Sequence, residues 1–331
     1  MFLLRSICKK NYHRCLSTLA SKKSALVFPG QGAQYIGMAK DLYIEYNVAK
    51  DLIDEAEEIL DFNLKSIMFD GPLQLLTLTE NTQPAILCHS IAVLRVLETE
   101  YGINVSDFNC ALGHSLGEYF SDAVKLVRLR GKSMQESIVE GETCMRALVI
   151  DGDHLEDIAN LINEIKNDLP EGEVAEIANI NSRRQIVLSG TNTGVSYVNS
   201  IINTRGFAGR AVGLPVSAPF HCSLMRAAQL KMRPLLEKTN FNSPIIPVIS
   251  NVTAKPYSKN PSEIRDLLCQ QITKTVQWQK SVSDGVKNGI EDWVVCGPSQ
   301  VLSNLLKREH PKGNILSISS YKDLELIKKL N

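Results

Sequence analysis

The chain has 331 residues, 44% of them hydrophobic, enough to bury the core of two compact subdomains. Thirty-six basic and 36 acidic side chains cancel, so neither nucleic acid nor an anionic membrane is an expected partner. No apolar stretch is long enough to span a bilayer. The charges are unevenly placed: Arg5, Lys9, Lys10, Arg14, Lys22 and Lys23 come before any acid, and the first acid is Asp41. Leu4, Ile7, Cys8 and Leu19 fall loosely on one helical face, with Lys9, Lys10 and His13 opposite. An acid-free start of this kind has the composition of a mitochondrial presequence, expected over residues 1–23. The longest apolar run there is Phe2-Leu3-Leu4, too short for a secretory signal. Without its six basic residues the remainder would carry a net charge of six negative.

Ser24-Ala25-Leu26-Val27-Phe28 reads as a buried strand, halted by Pro29-Gly30. Residues 83–99 carry helical periodicity through Ile86, Leu87, Ile91, Leu94 and Leu97. An apolar stretch from Phe108 then enters Gly113-His114-Ser115-Leu116-Gly117. A strand that runs through Gly-x-Ser-x-Gly into a helix is a nucleophile elbow. It leaves Ser115 at the tip of a sharp turn, with the Leu116 amide facing any oxyanion formed there. Further strands are expected at 245–251, 292–296 and 314–319. Apolar strands alternating with helices imply a parallel sheet covered on both faces.

The middle of the chain follows another rule. Strand-like 145–150, helical 153–167, strand-like 174–180 and 185–189, helical 194–205 and strand-like 210–216 give the order β-α-β-β-α-β. That is a ferredoxin-like unit. The expected architecture is an α/β-hydrolase-like core of residues 24–143 and 213–331, with a small α+β subdomain of residues 144–212 inserted.

Ser115 needs a base, and the chain offers six histidines. His13, His154 and His310 have poor contexts, His89 reads as a packed helix residue, and His114 points away from Ser115 by strand alternation. His221 remains, in Pro215-Val216-Ser217-Ala218-Pro219-Phe220-His221-Cys222, a rigid loop where the chain re-enters the core. The eight cysteines contain no Cys-x-x-Cys, and the six outside the leader read as reduced core residues. Neither metal-binding His-Glu-x-x-His nor a glycine-rich phosphate loop is present, so no metal or bound cofactor is expected.

Five ordered motifs carry a resemblance. They are Phe28-Pro29-Gly30-Gln31-Gly32-Ala33-Gln34, Gly113-His114-Ser115-Leu116-Gly117-Glu118, Arg130-Gly131, Pro219-Phe220-His221-Cys222 and Gly297-Pro298. From residue 24 to the end the chain resembles the malonyl-CoA:acyl-carrier-protein transacylases, of the mitochondrial type. The resemblance implies transfer of malonyl from malonyl-CoA to the phosphopantetheine thiol of acyl carrier protein, by a ping-pong route through Ser115 and His221. It implies an oxyanion hole from the amides of Gln31 and Leu116, and a carbonyl at Gln271 that orients the histidine. Arg130 matches the residue that grips the malonyl carboxylate, and Asn251 a polar neighbour of the site. A monomer is expected, in the mitochondrial matrix, feeding type II fatty acid synthesis. A serine esterase or thioesterase would use the same elbow without needing Arg130 or the inserted subdomain.

One departure separates the chain from that family. After Tyr119 the family carries a longer segment that finishes one helix, turns and starts the next. Here Tyr119-Phe120-Ser121 runs straight into Asp122-Ala123-Val124. If Leu116 to Arg130 were one unbroken helix, Ser115 and Arg130 would stand ~22 Å apart. The chain must therefore kink near Phe120–Asp122, or else Arg130 misses the site and the family member is impaired.

Overall fold

The computed structural model describes residues 23–119, 123–138 and 141–328. The leader expected over 1–23 lies outside them except for its last residue. Lys23 is already the first residue of strand β1 (Lys23–Phe28) and pairs with Ile290.

A five-stranded parallel sheet forms the large subdomain, in the order β7-β2-β1-β8-β9. Besides β1 it contains β2 (Cys110–Gly113), β7 (Val248–Ile249), β8 (Ile290–Cys296) and β9 (Asn314–Ile318). Alternation along the central strands fills both faces. Leu26, Phe28, Val294 and Cys296 enter one apolar core, while Ala25, Val27, Trp293 and Val295 enter a second one on the opposite face. Helices Trp278–Lys287 and Val301–Glu309 cover that second face. The long helix Thr79–Tyr101 lies in the first core.

The inserted subdomain is an antiparallel sheet in the order β4-β5-β3-β6, made of β3 (Thr143–Ile150), β4 (Ala175–Ser182), β5 (Gln185–Thr191) and β6 (Ala208–Gly213). Helices Leu155–Ile165 and Asn192–Thr204 pack on one face of it. With its β-α-β-β-α-β order, this is the ferredoxin-like arrangement. The strands begin at Thr143 and end at Gly213, one residue outside the expected 144–212 on each side.

Two local expectations change. The strand expected over 245–251 shrinks to Val248–Ile249. Pro247 has no N–H to pair, Ile245 is 80% exposed, and Ser250 already donates to Lys255 in a turn. The helix expected after the elbow is a single 3₁₀ turn, Ser115–Glu118, and Tyr119 is extended at φ −97° and ψ 105°. The next helix starts only at Val124 and runs to Gln135.

Candidate active site

Phe28 stands opposite Gly113 in the β1–β2 register, so the two strands end level and their following loops lie side by side. At those carboxyl ends the elbow forms by very close backbone approach. A Cβ on Gly117 would sit 2.2 Å from the Phe28 carbonyl oxygen, and one on Gly113 would sit 1.9 Å from Gly117 itself. No larger residue fits either position.

Ser115 pays for the sharp turn with a left-handed φ of 52°, a conformation worth about 1–3 kcal/mol of strain for a residue with a side chain. Side chains from distant segments hold it there. Ser115 N donates to Asn251 Oδ1 at 2.6 Å, while Asn251 Nδ2 donates to the Gly113 carbonyl at 2.6 Å. Gln271 Nε2 donates to the Ser115 carbonyl at 2.7 Å. Both backbone polar groups of Ser115 are therefore clamped.

His221 also adopts a left-handed φ, 60°. Its Nε2 lies 2.7 Å from Ser115 Oγ, and its Nδ1 lies 2.7 Å from the Gln271 carbonyl oxygen. A carbonyl can only accept, so the network assigns the proton to Nδ1 and leaves Nε2 bare toward the serine hydroxyl. Burial, reinforced by the Arg130 charge, pushes the His221 imidazole down to about 3 against the pull of the Gln271 carbonyl. It is neutral at physiological pH and ready to accept a proton. His114, by contrast, turns its Nε2 to Asn181 Oδ1 at 3.0 Å and lays its ring near Trp278. His89 is packed, with Nε2 2.9 Å from the Ser319 carbonyl.

Arg130 reaches the site. Its Nη2 is 3.3 Å from Ser115 Oγ and 2.7 Å from Gln271 Oε1, and its Nη1 is 2.8 Å from Gln83 Oε1. The guanidinium lies over the Tyr119 ring, 5.2 Å from its centroid. The arrangement in which a continuous helix strands Arg130 far from Ser115 does not occur, because the chain leaves helical geometry at Tyr119. The expected kink at Phe120–Asp122 lies outside the described residues. What docks the second helix is Gly131: a Cβ there would lie 2.5 Å from the Thr79 carbonyl oxygen. The two helices cross at that point, which sets Arg130 beside Gln83.

Gln31 lies on the loop after β1, where its Nε2 donates to Thr79 Oγ1 at 3.1 Å. Thr79 Oγ1 in turn is 2.5 Å from Ser217 Oγ, just upstream of His221. Leu116 is buried directly after the nucleophile. Beneath Ser115 lies a polar layer absent from the sequence reading. Glu118 accepts from Gln271 Nε2 at 2.5 Å, from Asn251 N at 3.1 Å and from the Tyr257 hydroxyl. Burial pushes its carboxyl up to about 7 despite these donors and the nearby Arg130. Gln83 is the other omission. A signal for it existed in Thr79, Asn81, Thr82 and Gln83, a polar cluster opening an otherwise apolar helix.

No group of acidic, histidine or cysteine side chains among the described residues could hold a metal ion. No helix among them is long and apolar enough to cross a membrane. The arrangement can form and break an ester at Ser115, with a buried cation beside the acyl group.

Residues 25–295 match the sequence profile of the acyl transferase domain. The malonyl CoA-acyl carrier protein transacylase of Bacillus subtilis (strain 168) is 38% identical over 315 residues, which are 92% of this chain and 96% of that protein. The crystal structure of an acyl carrier protein S-malonyltransferase from Vibrio cholerae superposes with a TM-score of 0.84 at 36% identity, covering 92% of this chain and 99% of that one. A malonyl-transacylase in complex with a type II PKS acyl-carrier protein superposes with a TM-score of 0.85 at 33% identity, covering 93% and 100%.

Proposed function

This chain belongs to the malonyl-CoA:acyl-carrier-protein transacylase family of acyl transferases, and from that premise we propose the Ser-His route by which it moves the malonyl group. Its activity is S-malonyl transfer from malonyl-CoA to acyl carrier protein. Ser115 Oγ attacks the thioester carbonyl carbon while its proton passes to His221 Nε2. The oxyanion is met by the amides of Gln31 and Leu116. Collapse breaks the C–S bond, and the departing CoA sulfur takes the proton back from His221. In the second half-reaction His221 removes the proton of the carrier's phosphopantetheine thiol. The sulfur then attacks the seryl ester, and the proton returns to Ser115 Oγ as the C–O bond breaks. Donor and product are both thioesters, so the exchange is close to thermoneutral.

Arg130 selects the acyl group. Its Nε is buried with no partner and its Nη2 lies 3.3 Å from Ser115 Oγ, so a carboxylate carried on the serine would meet the guanidinium by displacing that contact. Gln83 and Gln271 hold the other contacts of the guanidinium. The observation that carries the reading is Ser115 Oγ set between His221 Nε2 at 2.7 Å and Arg130 Nη2 at 3.3 Å. A thioesterase with no preference for a carboxylated acyl group would gain nothing from a buried cation at that point.

The test is intact mass spectrometry after incubation with malonyl-CoA or acetyl-CoA. A malonyl adduct should form on the wild type and be absent from Ser115→Ala. Arg130→Ala should lose preference for malonyl by roughly 10² or more, the scale of a buried charge pair. A malonyl adduct on the alanine variant, or an unchanged preference without Arg130, contradicts the mechanism. The acid-free leading segment supports a mitochondrial location, where the product would feed type II fatty acid synthesis.

A further inference from the structure

Glu118 touches no reacting atom, yet through the Gln271 amide it bears on Arg130, whose Nη2 lies 3.3 Å from Ser115 Oγ. Its Oε2 accepts from Gln271 Nε2 at 2.5 Å, and the Oε1 of that same amide accepts from Arg130 Nη2 at 2.7 Å. A primary amide has one accepting end and one donating end. A carboxylate on one side and a guanidinium on the other therefore permit a single orientation. Flipped, the amide would aim its NH₂ at the guanidinium and its oxygen at the carboxylate. Glu118 and Arg130 are thus an anion and a cation joined through one dipole, the Gln271 amide between them.

The separation matters. A carboxylate bonded directly to Arg130 would occupy the fork that the substrate needs. An amide in its place partly compensates the buried cation and leaves Nε without a partner. We infer that Glu118 is a positioning residue that sets malonyl selectivity, by holding the Gln271 amide oxygen toward Arg130 so that the guanidinium stays aimed at Ser115. This inference rests on the proposed function above.

Glu118 can also lose its charge in the physiological range, since burial pushes its carboxyl up to about 7. Among the groups facing it, Tyr257 and Tyr119 are pushed above the ordinary tyrosine value, and His221 and His114 are pushed below the ordinary histidine value. Arg130 stays a cation. Between pH 6 and about 8, Glu118 is the member of this cluster whose charge changes.

The experiment measures Ser115 acylation rates with malonyl-CoA and acetyl-CoA in the full chain, for the wild type and Glu118→Gln. In the variant the malonyl-to-acetyl ratio should fall by roughly tenfold or more, the scale of one misdirected charge-assisted hydrogen bond. An equal loss with both donors, leaving the ratio unchanged, would mean that Glu118 is only structural and would overturn the inference. Should the variant not fold, the wild type alone decides. Its ratio should rise with pH through a midpoint near 7, and a ratio independent of pH between 6 and about 8 overturns the proposal. Absence of any malonyl adduct on the wild type, with acetyl uptake intact, would overturn the proposed function and this inference with it.

Discussion

Asn251 grips the peptide on both sides of His114, accepting from the Ser115 amide at 2.6 Å and donating to the Gly113 carbonyl at 2.6 Å. A single side chain thereby spans the turn that carries the nucleophile. Its own amide is fixed in turn by Glu118. Asn251→Ala should leave a buried N–H and a buried carbonyl without partners, costing about 1–3 kcal/mol. Acylation by malonyl-CoA should fall more than the melting temperature alone explains, because Ser115 is released from its strained φ. Thermal unfolding together with the acylation rate checks this; a variant with wild-type rate would show that the elbow keeps its shape unaided.

Gly131 is a second lever on the site. Gly131→Ala introduces a Cβ 2.5 Å from the Thr79 carbonyl, which is backbone and cannot swing aside. Overpacking of this kind costs about 1–3 kcal/mol. The expected signature is a lowered melting temperature with a reduced malonyl-to-acetyl acylation ratio, since separation of the helices draws Arg130 away from Ser115. A destabilised variant with unchanged ratio would dissociate the helix crossing from selectivity.

The protonation of His221 makes a pH argument with a definite sign. The folded protein holds this imidazole at about 3, below its ordinary 6.5. As pH falls below 6.5 the unfolded chain gains a proton that the folded chain refuses. Stability from this residue is therefore complete above 6.5 and is lost progressively toward 3. In rate terms the base is already unprotonated, so acylation by acetyl-CoA should show no loss centred on 6.5. Stopped-quench acylation between pH 5 and about 8 tests it; a titration at the ordinary histidine value would refute the buried, neutral imidazole.

The leading segment predicts its own destination. Residues 1–23 fused to a fluorescent reporter should enter mitochondria, given six basic residues and no acid. Uniform cytosolic fluorescence would withdraw the localisation.

Ser115 and His221 were legible in the sequence because each is surrounded by local punctuation, glycines in one case and prolines in the other. The ferredoxin-like insert was legible for the same kind of reason, through alternation of periods along one continuous segment. Asn251, Gln271 and Arg130 came only from resemblance, since their roles depend on side chains 136, 156 and 15 residues away from Ser115 in the chain. The segment after Tyr119 left two outcomes open because helix propensity is a local quantity. Where that helix ends and the next docks depends on a close crossing with Thr79, far upstream. Glu118 sat inside the elbow motif and still went unread: a glutamate beside a glycine turn looks solvent-exposed until Tyr257, Asn251 and Gln271 are folded over it.

Strand β1 lies in the middle of the sheet between β2 and β8, so the earliest strand described must wait for residues 290–296 before its second edge is filled. The clamps on Ser115 arrive nearly as late, from positions 251 and 271. During synthesis, then, a chain that has exposed its serine has yet to gain the side chains that clamp it. Competence is delayed until almost the whole polypeptide has been made, and sequence-distant closure of this sort is slow to form. An unfinished chain is in this way barred from forming the acyl-enzyme before its last strands are in place.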